Sequence, residues 1–387
     1  MRCKLGDISE ITKLAGYEFT KYIKYIPDGE IIAVRALNLK NGALVLDDIQ
    51  RISKEVSETL PRSQLHKNDI VLSYTGTLGE CAQIREDGKY HLAPNVCKIT
   101  PNDSVVNPNF LFQYIRCEKF KQTLINYAHG STQPTIPMST IRDIPVDIPD
   151  DLEKQGKIAA ILSALDEKIA INRAINENLE QQAAALFSSL YDRSNTEVRF
   201  TDLIQILGGG TPKTGENTYW NGNIAFFTPK DVGTPYTLIT EKTISKEGLS
   251  HCNSRLYPVN TVFVTARGTV GKVGMSGIPM AMNQSCYALV GKETHQLLVY
   301  FYTLKAVDRL KHKASGAVFD AITTRDFESE QIMKLSDDDV TAFLRVVEPM
   351  FQKVLNNSIE NLRLSTLRDS LLPKLMSGEI DVSAVQL

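Results

Sequence analysis

The chain of 387 residues states one pattern twice. Leu5-Gly6-Asp7-Ile8-Ser9-Glu10-Ile11 is echoed 195 positions later by Phe200-Thr201-Asp202-Leu203-Ile204-Gln205-Ile206. The echo continues in order. Ala33-Val34-Arg35-Ala36-Leu37-Asn38 matches Phe226-Phe227-Thr228-Pro229-Lys230-Asp231 at an offset of 193, and Gly76-Thr77-Leu78-Gly79 matches Gly268-Thr269-Val270-Gly271 at 192. Gly130 and Ile136 match Gly316 and Ile322 at 186, and a helical pattern from Ile158 returns from Phe343 at 185. Small insertions in the first copy produce such a steady drift, whereas chance matches scatter. The chain is therefore two copies of one domain-plus-helix unit, which suits a task that needs two similar surfaces at a fixed separation.

Composition narrows the class. Hydrophobic residues make up 42% of the chain and charged residues 23%, as in ordinary globular proteins. No opening stretch resembles a signal peptide and no apolar run approaches the roughly 20 residues that span a bilayer, so the expectation is a cytoplasmic protein with no membrane partner. The six cysteines, Cys3, Cys81, Cys97, Cys117, Cys252 and Cys286, form no C-x-x-C pair and read as reduced core thiols. Histidines are equally dispersed, so no protein-bound metal is expected. The net charge of −2 divides unevenly: residues 1–150 and 196–336 together carry +3, and the remainder −5. A local basic patch on the domains fits that split, although so small an excess is also what an unspecialised surface carries.

Short β-branched and aromatic runs open each copy. Ile31 to Val34 and Ile224 to Phe227, then Ile70 to Tyr74 and Val262 to Thr265, read as strands bounded by turn residues. One helix follows in each. In the first copy Asn107 can cap, Pro108 takes the first helical position, and Phe110 to Tyr127 carry the period until Gly130. In the second Thr294 can cap, Leu297 to Leu310 carry the period, and Gly316 follows.

Two long helices give the clearest local signal. One stripe runs Ile158, Leu162, Leu165, Ile169, Asn172, Asn176, Leu179, Ala183, Leu186, Leu190. Its counterpart 185 positions on runs Phe343, Val347, Met350, Val354, Asn357, Asn361, Leu364, Arg368, Leu371, Leu375. Matching stripes bury most readily against each other. A polar Asn in such a seam weakens it but fixes register, so Asn172 and Asn357 are expected to act as alignment pins. A helix over residues 156–190 would be ~50 Å long, enough for a spacer.

Several motifs suggest catalysis and fail on inspection. Asn107-Pro108-Asn109-Phe110 resembles the loop with which amino-methyltransferases hold an amine, but helix capping accounts for it and no Gly-rich cofactor loop precedes it. Pro149-Asp150 with Asp166-Glu167-Lys168 fits a sparse nuclease pattern, yet Asp166 and Lys168 fall on a long helix and not on strands around a metal. Gly268 to Lys272 lacks the spacing and the hydroxyl of a Walker loop, since Ala266 and Val273 occupy the deciding positions. What remains is a Gly-rich turn after a strand, present in both copies. Its backbone N–H groups could approach an anion, with Arg267 and Lys272 adding charge, or it could be a plain hairpin turn.

Residues able to read base edges fall at matching positions with different chemistry. Gly130-Ser131-Thr132-Gln133-Pro134-Thr135 aligns with Gly316-Ala317-Val318-Phe319-Asp320-Ala321, and Arg35 and Asn38 align with Thr228 and Asp231. A shared frame with unlike contents is what reading two different sequences requires.

With these residues in view, the whole chain resembles the DNA-specificity subunits of type I restriction-modification systems. Trp220-x-Gly222-x-Ile224 leading into Thr228-Pro229-Lys230-Asp231 is similar to the start of a target-recognition domain of that family. Ala185-Leu186-Phe187-Ser188-Ser189 and Leu371-Leu372-Pro373-Lys374-Leu375-Met376-Ser377-Gly378-Glu379-Ile380 are similar to its helix ends. The first copy lacks the Trp-x-Gly and Thr-Pro-Lys-Asp elements. The resemblance implies a non-catalytic subunit that binds a bipartite, asymmetric site on double-stranded DNA, one half per domain. It also implies partners: two methylation subunits that use S-adenosylmethionine, and restriction subunits that use ATP and Mg. The chain itself would hold no cofactor.

The expected fold class is α+β: two globular mixed α/β target-recognition domains separated by two long helices that form an antiparallel coiled coil, with pseudo-two-fold internal repetition. Expected boundaries are 1–150 and 196–336 for the recognition domains, 151–193 and 337–378 for the spacer helices, and 379–387 for a tail. Candidate DNA contacts are Arg35, Asn38, Thr75, Thr77 and Gln133 in the first domain. In the second they are Lys213, Lys230, Arg267, Lys272 and Arg325. The modest charge predicts weak DNA binding by the isolated chain. Competing readings are a scaffold holding two protein ligands and a single-chain methyltransferase or nuclease.

Overall fold

A computed structural model describes residues 1–130, 133–233, 235–313 and 321–382. Ser131 and Thr132, the stretch from Gly316 to Asp320, and the end of the tail from residue 383 lie outside the described residues. The chain divides into two compact units, Met1–Lys168 with Arg363–Leu387, and Ile169–Leu362.

In the first unit an antiparallel sheet runs Ser9–Lys13, Val96–Pro101, Ile70–Ser73, Cys81–Gln83. A second sheet runs Gln50–Ile52, Ile31–Val34, Tyr90–Leu92, Gln64–Leu65, and its Ile31–Val34 and Tyr90–Leu92 strands are parallel. The second unit repeats this plan. Ile204–Gly208, Cys286–Gly291, Val262–Thr265, Val273–Ser276 and the added parallel edge strand Tyr236–Thr237 form one sheet, and Lys242–Ile244, Trp220–Phe227 and Met280–Met282 the other, again with a parallel pair. The strands Ile70–Ser73 and Val262–Thr265 are buried at every position. Their apolar runs are continuous because both faces are covered: Ile70 and Leu72 pack into the core with the helices, whereas Val71 packs into a separate core with the second sheet. Phe263 and its neighbours Val262 and Val264 divide in the same way.

The helix expected from Phe110 to Tyr127 is two helices, Pro108–Arg116 and Glu118–Asn126, parted by an extended Cys117. The break corrects the phase. At about 100° per residue a continuous helix would turn Phe120 and Leu124 away from the side that buries Leu111 and Ile115; resetting the helix at Cys117 returns all four to one core. Asn107 does cap, accepting the N–H groups of Asn109 and Phe110. In the second unit the helix is Gln296–Lys313. Its capping acceptor is His295 Nδ1, which takes the Leu297 N–H, and not Thr294, whose hydroxyl donates to the Lys292 carbonyl.

The long helices span Leu152–Arg193 and Asp337–Ser377. Every residue of both stripes is buried or half-buried. Within the first unit Ile158 and Leu162 share a core with Leu372 and Leu375, and Arg368 Nη1 donates to Asp166 Oδ1 at 2.8 Å. Within the second, Asn172 Nδ2 donates to Asn361 Oδ1 at 3.0 Å and Asn357 Nδ2 to Asn176 Oδ1 at 2.8 Å, while Ala183 and Phe187 pack with Phe343 and Val347. Rising numbers on one helix meet falling numbers on the other, so the pairing is antiparallel. The repeat offset of 185 carries Asn172 to Asn357 and Asn176 to Asn361, so it exchanges the two Asn layers.

Candidate nucleic-acid interface

The strands Ile31–Val34 and Trp220–Phe227 each end in a turn closed by a side chain. Asp231 Oδ2 accepts the Thr228 N–H at 2.7 Å, and Asn38 Oδ1 accepts the Arg35 N–H at 3.1 Å. The chemistry differs between the copies, but the job is the same: a short polar side chain caps the N–H three residues back. Asn38 also donates through Nδ2 to the Val45 and Asp48 carbonyls, and it is fully buried. This corrects the reading of Asn38 as a DNA contact, because every polar atom of its amide already holds the loop.

A second turn follows the strands Ile70–Ser73 and Val262–Thr265. Its glycines have left-handed backbones, with φ of 78° and 79° at Gly76 and Gly79 and 82° and 74° at Gly268 and Gly271. In the first unit this turn is sewn to the loop before Ile136: Thr75 pairs with Thr135, their hydroxyls 2.8 Å apart, and the Gly76 N–H donates to the Pro134 carbonyl. That bond occupies a group the anion reading of the turn required to be open. In the second unit Arg267 pairs with Ala321 and the Ile322 N–H donates to the Ala266 carbonyl, so the frame repeats.

In the second unit the two turns converge on a cleft of about 440 Å³, lined among others by Thr228, Lys230, Lys242, Arg267, Thr269 and Asn283. Lys230 and Arg267, both picked from the sequence, are therefore brought together. Lys242 joins them. Residues flanking Lys242 gave no signal; it reaches the cleft because its strand pairs with Phe226. Its ammonium also lies 5.6 Å from the centroid of the Trp220 ring. Three cations outnumber Glu241, the acidic residue of the lining. Glu241 is 3.7 Å from Lys230, but both side chains are largely exposed, so water screens the pair and the cleft keeps a positive field. Lys213, Lys272 and Arg325 are exposed and lie outside this lining.

The matching positions of the first unit are chemically unlike. Leu37 stands where Lys230 stands, and Thr75 where Arg267 stands. Arg35 is held by Asp48, its Nη2 2.9 Å from Oδ1. Leu37 is 55% exposed, and Thr77 and Gln133 are exposed near the sewn turn. Among the described residues no three His, Cys, Asp or Glu side chains cluster as a metal site would need, and no helix is long and apolar enough to cross a membrane. The thiols of Cys81, Cys97 and Cys286 are pushed up to about 12 by burial, which leaves them protonated and unreactive.

A family model for the type I restriction modification DNA specificity domain matches residues 1–181 and then residues 193–334. The chain belongs to this family. Each match takes in one copy of the repeat. The type I restriction enzyme HindI specificity subunit of Haemophilus influenzae is 26% identical over 377 residues, covering 75% of this chain and 81% of that protein. The MjaIX specificity subunit of Methanocaldococcus jannaschii is 23% identical over 311 residues, covering 73% and 71%. Among solved structures, the S subunit of a type I restriction-modification system from M. genitalium shares the fold, with a TM-score of 0.57 at 15% identity over 97% of this chain and 96% of that one. Membership extends to the first unit, which the family model matches although it lacks the Trp-x-Gly and Thr-Pro-Lys-Asp elements.

Proposed function

We propose that this chain reads the two halves of an asymmetric bipartite DNA sequence, one half with each unit, as the specificity subunit of a type I restriction-modification complex. One observation carries the reading: equivalent turns are closed by equivalent hydrogen bonds, while the side chains they present differ, Lys230 and Arg267 in one unit against Leu37 and Thr75 in the other. Identical frames with unlike contacts suit two different words of DNA. As a specificity protein the chain performs no chemistry. Two methylation subunits would supply S-adenosylmethionine-dependent adenine methylation, and restriction subunits would supply ATP- and Mg-dependent cleavage.

The contacts proposed in the second unit are Lys230, Arg267 and Lys242, with Lys213, Lys272 and Arg325 as outlying phosphate partners. In the first unit they are Thr75, Thr77 and Gln133, and Arg35 once released from Asp48. The paired helices would set the gap between the half-sites and dock the methylation subunits.

Mapping methylated adenines in cells with and without the chain tests this. Loss of one bipartite motif, and no other change, is expected. An unchanged methylation pattern would favour a scaffold for two protein ligands, and activity from the purified chain alone would favour an enzyme.

A further inference from the structure

Beside the cationic cleft, the turn between Met280–Met282 and Cys286–Gly291 is held from both sides. Ser285 accepts the Ala266 and Arg267 N–H groups at its carbonyl, and its own N–H donates to Asn283 Oδ1. Opposite, the Gly208-Gly209-Gly210-Thr211 segment packs backbone to backbone on the turn. A Cβ at Gly209 would overlap the Asn283 carbonyl, and the Gly210 N–H donates to the Met282 carbonyl at 3.1 Å. This close approach delivers the Thr211 hydroxyl to Gln284, where it donates to Oε1. Asn283 and Ser285 line the cleft; Gln284 between them is exposed. An exposed Gln ordinarily samples many rotamers, but this one is fixed at its carboxamide by a residue that is itself fixed. The first unit offers no equivalent, since the matching turn, with Asn95 accepting the Tyr74 N–H, has Pro94 at this position.

We propose that Gln284, oriented by Thr211, reads the major-groove edge of one adenine in the half-site bound by the second unit. The Thr211 bond leaves Oε1 one lone pair and fixes the carboxamide plane, so the outward edge presents an acceptor beside the Nε2 donor. Adenine offers the complement, the N6 donor beside the N7 acceptor. Guanine offers two acceptors there, and thymine an acceptor beside a methyl group. Thr211 is a positioning residue in this scheme, and the assignment rests on the DNA-reading function proposed above.

The test uses the assembled methylation complex and duplexes carrying the mapped site, with each adenine of the second half-site replaced in turn by 7-deazaadenine. That base still pairs but lacks the N7 acceptor. The wild-type complex is expected to lose roughly 10- to 100-fold in affinity at one position only. Gln284→Ala is expected to bind the unmodified site weaker by a similar factor, to be indifferent to 7-deazaadenine at that position, and to bind non-specific duplex as before. Thr211→Val should shift the same position in the same direction. Gln284→Glu, which keeps the side-chain volume but loses the donor, should also lose the adenine preference while melting at the wild-type temperature. Site affinity within twofold of wild type for Gln284→Ala overturns the assignment, as does equal weakening on all duplexes. A wild-type complex that prefers no sequence overturns the DNA-reading function itself, and the assignment with it.

Discussion

Asp166 and Arg368 face each other across the helix pair of the first unit, Oδ1 to Nη1 at 2.8 Å, and Asp166 Oδ2 also accepts Arg116 and Gln113. Their side chains are 25%, 16% and 13% exposed for Asp166, Arg368 and Arg116, so the triad is largely withdrawn from water. The repeat offset of 185 carries Asp166 to Phe351 and Arg368 to Ala183, both fully buried in the second unit's core. One copy closes its helix seam with ions and the other with an aromatic ring.

Removing Asp166 alone should therefore leave Arg116 confined without a counter-charge and Arg368 with only the exposed Asp369, 2.8 Å away, at a cost of about 3 kcal/mol. Combining Asp166→Leu with Arg116→Met and Arg368→Met should recover most of that, because the desolvation cost disappears with the charges. Urea unfolding of the single and triple variants decides; equal stabilities would mean the triad contributes little.

Gln83 is buried, and neither its Oε1 nor its Nε2 has a hydrogen-bond partner. It pairs with Ile70 as Met275 pairs with Val262 in the second unit. Gln83→Met should stabilise the chain by about 1 to 2 kcal/mol, since the volume is kept and the desolvated amide is gone. A lower melting temperature for this variant would show that the amide is satisfied in solution.

Glu180 on the first long helix has its carboxyl pushed up from 4.5 to about 7, by burial first and then by Glu177. Between those values the folded chain holds a proton that the unfolded chain has released, so this group's contribution to stability is full below about pH 4.5 and is lost as pH rises through about 7. Glu180→Gln should melt higher than wild type at pH 8 and close to it at pH 4.5. A pH-independent difference would exclude the carboxyl as the cause.

Lys213→Ala and Lys272→Ala should weaken binding to all duplexes and each reduce the slope of log K against log salt by about 1, while Arg267→Ala or Lys230→Ala should relax one position of the second half-site. Thr77→Ala or Gln133→Ala should likewise relax one position of the first half-site. Titrations at several salt concentrations distinguish the outcomes, and an unchanged slope removes that cation from the interface. The same titrations should find the isolated chain binding weakly and the methylation complex tightly.

Inserting one heptad at matching positions of both long helices preserves the stripes and lengthens the pair by about 10 Å. The gap between half-sites should grow by about 3 base pairs, at 3.4 Å per pair, with both half-sites unchanged. Altered half-sites with an unaltered gap would contradict a spacing role for the helices.

The long helices and the repeat were legible because their signals are local or periodic. The stripes from Ile158 and from Phe343 repeat at helical spacing, and spacing is a property of the chain. The break at Cys117 was not read from the sequence: apolar residues continue on both sides of it, and the position of the core shows that Phe120 and Leu124 take a new phase. Lys230 and Arg267 could be found through the repeat, since their turns recur. Lys242 could not, because a strand's neighbours are set by register with a distant segment.

By itself, the sequence determined that there are two copies, that each ends in a long amphipathic helix, and that the copies differ where their turns are exposed. Periodicity, turn glycines and duplication act over a few residues or over the whole chain, and both scales can be read along one dimension. Tertiary structure decided which polar side chains are free. Asn38 and Gln284 are both amides at turns. Asn38 is consumed by the Arg35, Val45 and Asp48 backbone, whereas Gln284 is held outward by Thr211, brought to it by two glycines more than seventy positions away in the chain. A hydrogen bond saturates a donor or acceptor wherever its partner lies in sequence, so only the fold tells a loop's own fastener from a contact offered to DNA.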